Sequence, residues 1–209
     1  MKIYSIFRSL QGEGTTIGTP TTFVRSSGCP LRCTYCDTPQ AFDDGNEMSV
    51  EEIVEEVKRH GTKNVCVTGG EPMVQKDCVG LLIRLLDSGH RVVLETCGAM
   101  PLEELPCTDN MTISMDIKCP SSGESDKMLP ENLDLLGPTD QLKFVIADEV
   151  DYDFARRTLS GRSLSCEVIF TPVGGKDLRW LAEKVLEDRL DVRVLPQLHK
   201  FIWGDEDDR

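Results

Sequence analysis

Three cysteines fall within eight residues, Cys29-Pro30-Leu31-Arg32-Cys33-Thr34-Tyr35-Cys36, at the spacing C-x3-C-x2-C. Thiolates on so short a loop can converge on one face of a metal centre. On a four-iron cluster, three of them leave one iron without a protein ligand. That open iron can bind a small chelate and pass it an electron. The same cysteines could instead hold zinc, which wants a fourth ligand, available from His60, His90, His199 or another cysteine. A second motif follows, Val67-Thr68-Gly69-Gly70-Glu71-Pro72. It closes an apolar run that reads as a strand, and ligands in α/β folds bind at the C-terminal ends of strands. Two glycines let the backbone approach a ligand closely, and Glu71 sets a carboxylate beside them. The other six cysteines, Cys66, Cys78, Cys97, Cys107, Cys119 and Cys166, show no comparable spacing. Cys66 lies in an apolar run and reads as core.

The elements that must position these motifs alternate in type. Strands are expected at Ile3 to Leu10, Thr21 to Ser26, Asn64 to Thr68, Arg91 to Glu95, Met111 to Met115, Gln141 to Ala147, Ser165 to Phe170 and Val192 to Leu195. Ser49 with Glu52 three residues on makes a capping box, and Val50, Ile53, Val54 and Val57 then form one apolar face up to Gly61. A second helix is expected from Gln75 to Ser88 with Val79, Leu82, Ile83 and Leu86 on its buried face. Further helices are expected up to Leu159 and over Asp177 to Leu186. Most strands are near-continuous apolar runs, as in a parallel sheet covered on both faces. About six βα units are too few for the eight of a closed barrel. The expected fold is therefore α/β, an open or partial (βα) barrel with mainly parallel strands, in a single domain over residues 1–209. Ser121 to Pro138 lacks periodicity and reads as a long loop.

The composition is that of a soluble globular chain, 39% hydrophobic and 28% charged. Its net charge of −13 repels phosphate backbones and anionic lipid, which disfavours stable nucleic-acid or membrane binding. No apolar run reaches the roughly 18 residues of a spanning helix, and the N-terminal apolar stretch is too short for a signal peptide. A cytoplasmic location is expected, where thiols stay reduced. The odd count of nine cysteines then points to metal or catalysis rather than disulfides.

C-x3-C-x2-C followed one βα unit later by Gly-Gly-Glu-Pro resembles the radical S-adenosylmethionine superfamily. The superfamily uses one 4Fe-4S cluster to reduce the sulfonium of S-adenosylmethionine and release a 5′-deoxyadenosyl radical. Within it, Ser9-Leu10-Gln11-Gly12-Glu13-Gly14, Phe23-Val24-Arg25 and Cys36-Asp37-Thr38 resemble the 7-carboxy-7-deazaguanine synthases. The likeness returns at Glu95-Thr96, Ser114 to Lys118, Lys143 and Leu198-His199-Lys200.

That resemblance implies ring contraction of 6-carboxy-5,6,7,8-tetrahydropterin to 7-carboxy-7-deazaguanine. The adenosyl radical takes a hydrogen from C6 of the pterin, the substrate radical rearranges and recovers it, and ammonia leaves. S-adenosylmethionine is regenerated, magnesium is required, and the product feeds queuosine or archaeosine synthesis. It also implies a homodimer and an electron donor such as flavodoxin or ferredoxin. Carried over residue by residue, the cluster falls on Cys29, Cys33 and Cys36, and magnesium on Thr38. Substrate contacts fall on Leu10, Gln11, Gly12, Glu13, Arg25, Thr68 and His199. Contacts to S-adenosylmethionine fall on Tyr35, Cys36, Asp37, Gly70, Glu71, Ser114, Asp116 and Lys118, with Phe170 to Val173 facing the adenosyl group. Arg25 suits a carboxylate because its guanidinium is a planar fork. The acidic segment Gly204 to Arg209 does not match the family's tail. Two other readings stay open: a glycyl-radical activating enzyme, which lacks the Gln-Gly-Glu-Gly start, and a non-catalytic zinc module.

Overall fold

The computed structural model describes residues 1–175, 177–204, 206 and 208. Strands β1 (Lys2–Leu10) and β2 (Pro20–Ser26) form an antiparallel hairpin. A two-residue strand, β3 (Asn46–Glu47), pairs antiparallel with β1. From β2 onward the sheet is parallel, through β4 (Asn64–Gly69), β5 (Arg91–Thr96), β6 (Met111–Ile117), β7 (Gln141–Ile146), β8 (Glu167–Pro172) and β9 (Arg193–Val194). The nine strands lie in the order β3-β1-β2-β4-β5-β6-β7-β8-β9. Among the described residues β9 does not pair back to β3, so the barrel is open, as the sequence leads one to expect.

Helix α1 (Val50–His60) starts where its chemistry says it should. Ser49 Oγ accepts from Glu52 N at 3.2 Å while the Glu52 carboxylate accepts from Ser49 N at 2.8 Å. Gly61, at φ +68°, ends it. Helix α2 is Cys78–Asp87, shorter than expected because residues 75–77 form a turn closed by Cys78 N donating to Gln75 O at 2.9 Å. Its buried face is Cys78, Leu81, Leu82 and Leu85, whereas Ile83 is 43% exposed. The helix is thus turned by one residue from the expected stripe. With apolar residues at Cys78, Val79, Leu81, Leu82, Ile83, Leu85 and Leu86, either stripe satisfies the pattern.

Helices α3 (Glu149–Leu159) and α4 (Leu178–Glu187) cover the later strands, and a short α5 (Leu198–Ile202) follows β9. Between β5 and β7, where the sequence offers no helix, the chain crosses by loops and 3-10 turns at Pro120–Ser122, Ser125–Lys127 and Pro130–Leu135. This stretch is a packed strap rather than a free loop. Asn132 is fully buried, donating to Gly98 O and Met100 O at 3.1 and 2.8 Å. No helix among the described residues is long and apolar enough to cross a membrane.

The two faces of the sheet differ. Val24, Val65, Val67, Val92, Leu94, Met115, Leu142 and Phe144 pack in one core with Ile53, Leu81, Leu82 and Leu85 of the helices. On the other face Phe23, Cys66 and Val93 stand opposite one another in register and cluster with Phe7. The rings of Phe7 and Phe23 stack at 5.0 Å. Side chains alternate along a strand, so Arg25, Thr68 and Glu95, each two residues on, share that face. Asp116 and Lys143 are paired in register on β6 and β7. An apolar floor thus carries a ring of polar groups above it, toward the C-terminal ends of the strands.

Candidate active site

A cavity of about 540 Å³ opens over that ring, within the usual span of small-molecule pockets. Its walls bring together nearly every residue singled out by the sequence: Leu10, Gln11, Gly12, Glu13, Arg25, Cys29, Cys33, Tyr35, Cys36, Asp37, Thr38, Thr68, Gly70, Asp116, Lys118 and His199.

The cysteine loop follows β2 and is held from several sides. Gly28 N donates to Ala41 O at 2.9 Å and Gln75 Nε2 to Ser27 O at 2.7 Å. Arg32 N donates to the Glu124 carboxylate at 2.6 Å, and Thr34 bonds Ser121 O and Ser122 O at 2.7 and 3.0 Å. Leu31 is buried beneath the loop. The thiols of Cys29, Cys33 and Cys36 are half-buried, line the same cavity and are free of disulfides. Burial pushes the Cys29 and Cys33 thiols up, and Lys118 pulls both down. Among the described residues no three His, Cys, Asp or Glu side chains close on a single metal ion. Thiolates that each take a different iron of a cluster have no need to. Tyr35 supplies a further observation: its hydroxyl is buried and has no hydrogen-bond partner among the described residues. Burial pushes its pKa up, so it remains a neutral donor on the cavity wall. This donor set fits a cluster and a polar ligand beside it.

The Gly-Gly-Glu-Pro turn is pressed against the start of the cysteine loop. A Cβ on Gly69 would lie 2.1 Å from Ser26 O, and one on Gly70 would lie 2.2 Å from Gly28 O. Glu71 departs from expectation. Its side chain does not line the cavity and is fully buried. It accepts from Met73 N at 3.0 Å, Thr96 Oγ1 at 3.0 Å and Cys97 N at 2.6 Å. The carboxylate thus ties the turn to the end of β5, and burial pushes its pKa up. Ser114 is likewise buried away from the cavity, its Oγ accepting from Gln141 Nε2 at 2.7 Å. Of Phe170 to Val173, only Val173 reaches the cavity.

The opposite wall is assembled from charged and polar side chains. Gln11 Oε1 accepts from Glu13 N at 3.3 Å. Glu13 accepts from Lys143 Nζ at 2.7 Å on one oxygen and from Gln197 Nε2 at 2.7 Å on the other. Burial alone would raise the Glu13 pKa, but the Lys143 charge and these hydrogen bonds bring it down to about 2. Thr68 Oγ1 donates to Glu95 at 3.0 Å. The His199 ring lies over Gly12, where a Cβ would meet its Nδ1 at 2.1 Å. Burial lowers the His199 pKa, so the ring is neutral at pH 7. Arg25 sits above the Phe7 ring at 5.5 Å and donates to Thr38 Oγ1 at 3.3 Å. Thr38 Oγ1 in turn donates to Asp37 at 3.0 Å. Arg25 and the Thr38 hydroxyl thus stand side by side on the cavity wall.

Sequence reasoning gives no site role to Glu95, Lys143, Gln197 or Asp208, all of which line the cavity. The available signal is a charged residue inside an apolar strand, as at Glu95 and Lys143. In the acidic tail, Asp208 Oδ1 stands 3.8 Å from Arg25 Nε, while Asp205, Asp207 and Arg209 lie outside the described residues.

Residues 23–118 match the family model described as the radical SAM superfamily. A 7-carboxy-7-deazaguanine synthase of Koribacter versatilis is 42% identical, over 99% of this chain and 98% of the relative. One from Methanospirillum hungatei is also 42% identical, over 97% and 85%. Among solved structures, QueE from Escherichia coli aligns with TM-score 0.75 at 23% identity, covering 95% of this chain and 94% of that one; at that identity the likeness speaks to fold.

Proposed function

Because the chain belongs to the 7-carboxy-7-deazaguanine synthases, enzymes of the radical S-adenosylmethionine superfamily, we propose that it contracts the ring of 6-carboxy-5,6,7,8-tetrahydropterin to 7-carboxy-7-deazaguanine with loss of ammonia. The observation that carries this reading is the likeness to a synthase over 99% of the chain. Nothing in the glycyl-radical or zinc-module readings would account for that span.

Cys29, Cys33 and Cys36 hold the 4Fe-4S cluster, and Tyr35, Cys36, Asp37, Gly70, Asp116 and Lys118 contact S-adenosylmethionine. When bound, the two supply one-electron reduction of a sulfonium and the hydrogen-atom abstraction that follows it. Glu71 and Ser114 act behind the wall by fixing backbone and neighbouring side chains. Arg25 binds the substrate carboxylate, and magnesium sits at Thr38 beside it. Leu10, Gln11, Gly12, Glu13 and Thr68 meet the edges of the pterin. Neutral His199 covers them and keeps water out.

In this reading residues 1–209 work as one domain in the cytoplasm, as a homodimer whose elution volume would correspond to twice the monomer mass. A flavodoxin or ferredoxin supplies the electron, and the product enters 7-deazapurine synthesis. The test is anaerobic turnover with dithionite, S-adenosylmethionine, magnesium and the pterin, followed by mass spectrometry. Formation of 7-carboxy-7-deazaguanine without matching consumption of S-adenosylmethionine is expected. Cleavage of S-adenosylmethionine with the pterin untouched would remove the substrate assignment.

A further inference from the structure

Lys143 projects from β7 into the cavity, its side chain only 4% exposed. A buried lysine is costly unless its charge is met. Here it faces carboxylates from three elements. Glu13, just after β1, takes it at 2.7 Å; Asp116 of β6 stands at 3.4 Å; Glu95 of β5 adds a third negative charge nearby. From α5, His199 also acts on Glu13, as does Glu95 of β5.

We propose that Lys143 is a positioning residue: together with Gln197 it fixes the Glu13 carboxylate as the acceptor that meets the N–H edge of the substrate. This rests on the pterin reading above. Each Glu13 oxygen already accepts one hydrogen bond from the protein, from Lys143 or Gln197. A carboxylate oxygen has capacity for a second, and Glu13 lines the cavity. Without the lysine, burial would drive Glu13 toward its protonated form. A protonated oxygen meets an N–H with a second donor, and the substrate's hydrogen bond is lost.

The experiment measures anaerobic equilibrium binding of 6-carboxytetrahydropterin to the reconstituted enzyme with S-adenosylmethionine, from pH 6 to 9. It compares wild type, Lys143→Met, Lys143→Arg, Glu13→Gln and the Glu13→Gln/Lys143→Met pair. Lys143→Met is expected to weaken pterin binding about tenfold at pH 7, the worth of one good hydrogen bond. That loss should shrink toward pH 9 as Glu13 ionises again. Lys143→Arg should keep the wild-type pH profile, and the affinity for S-adenosylmethionine, measured alone, should hold. The double variant should bind pterin no worse than Glu13→Gln, which decides the matter even if Lys143→Met does not fold. A pH-independent loss, an equal loss of S-adenosylmethionine affinity, or additive losses in the pair would overturn the inference. If wild type itself binds no pterin, the substrate reading fails first and the role of Lys143 falls with it.

Discussion

The two walls of the cavity are built by different means. The cysteine wall is one continuous loop, donating hydrogen bonds to Ala41, Ser121, Ser122 and Glu124 and accepting one from Gln75, largely through its backbone. Its thiols make no disulfide and face the cavity. The opposite wall draws single side chains from several elements, and they bind one another: Glu13 to Lys143 and Gln197, Thr68 to Glu95, Arg25 to Thr38. One wall presents sulfur atoms on a backbone held in place by its neighbours. The other is a preorganised polar surface on which a ligand adds bonds to groups already fixed.

Substitutions can break or sharpen this contrast. On the cysteine wall, Cys33→Ala should abolish both the cluster absorbance and all turnover; residual turnover with iron lost would contradict the assignment. On the opposite wall, Arg25→Ala should raise KM for the pterin on the order of a hundredfold, the worth of charge-assisted bonds to a carboxylate, with the cluster spectrum intact. An unchanged KM would take the carboxylate away from Arg25.

Glu71→Gln probes the joint behind the cysteine wall. It replaces an acceptor facing Thr96 and Cys97 with an amide and should cost about 2 kcal/mol in urea unfolding. If stability holds and only S-adenosylmethionine affinity drops, Glu71 is a direct ligand after all. Thr38→Ala should raise the magnesium needed for half-maximal rate by roughly tenfold, and an identical titration would exclude it.

The smallest effect concerns acid. Glu13 is held at about 2 against an ordinary value of 4.5, so its contribution to stability is complete above pH 4.5 and is lost as pH falls toward 2. Unfolding free energies measured from pH 5 down to 3 should therefore fall less steeply in Glu13→Gln. Parallel slopes would show that Glu13 is not held ionised.

The same contrast explains what could be read from the chain. The cysteine loop, the Gly-Gly-Glu-Pro turn and α1 are local in sequence, each written in adjacent residues, and each appears as expected. The mainly parallel, open sheet follows from the alternation of apolar runs and helices. What escapes is non-local. The side chain of Glu71 looks outward in sequence because only the fold brings Thr96 and Cys97 to it. Glu95 and Lys143 match the family as isolated positions without an assigned role, and only sheet register sets them on the same face as Arg25 and Thr68. The face of α2 is ambiguous because its apolar residues fill two stripes. The short β3 and α5 escape because two and five residues carry no periodicity.

The strap at residues 120–135 has a consequence for the order of assembly. Small metal domains often stay unfolded until their ion arrives, so that metal binding is folding. Here the strap, the segment at Ala41 and the turn after β4 already define the path of the cysteine loop through protein–protein bonds. A 4Fe-4S cluster bound here would meet a loop whose backbone path the rest of the fold fixes. Its removal by a chelator should bleach the protein while leaving the far-ultraviolet circular dichroism of the sheet in place, which makes maturation a late, reversible event in the life of the chain.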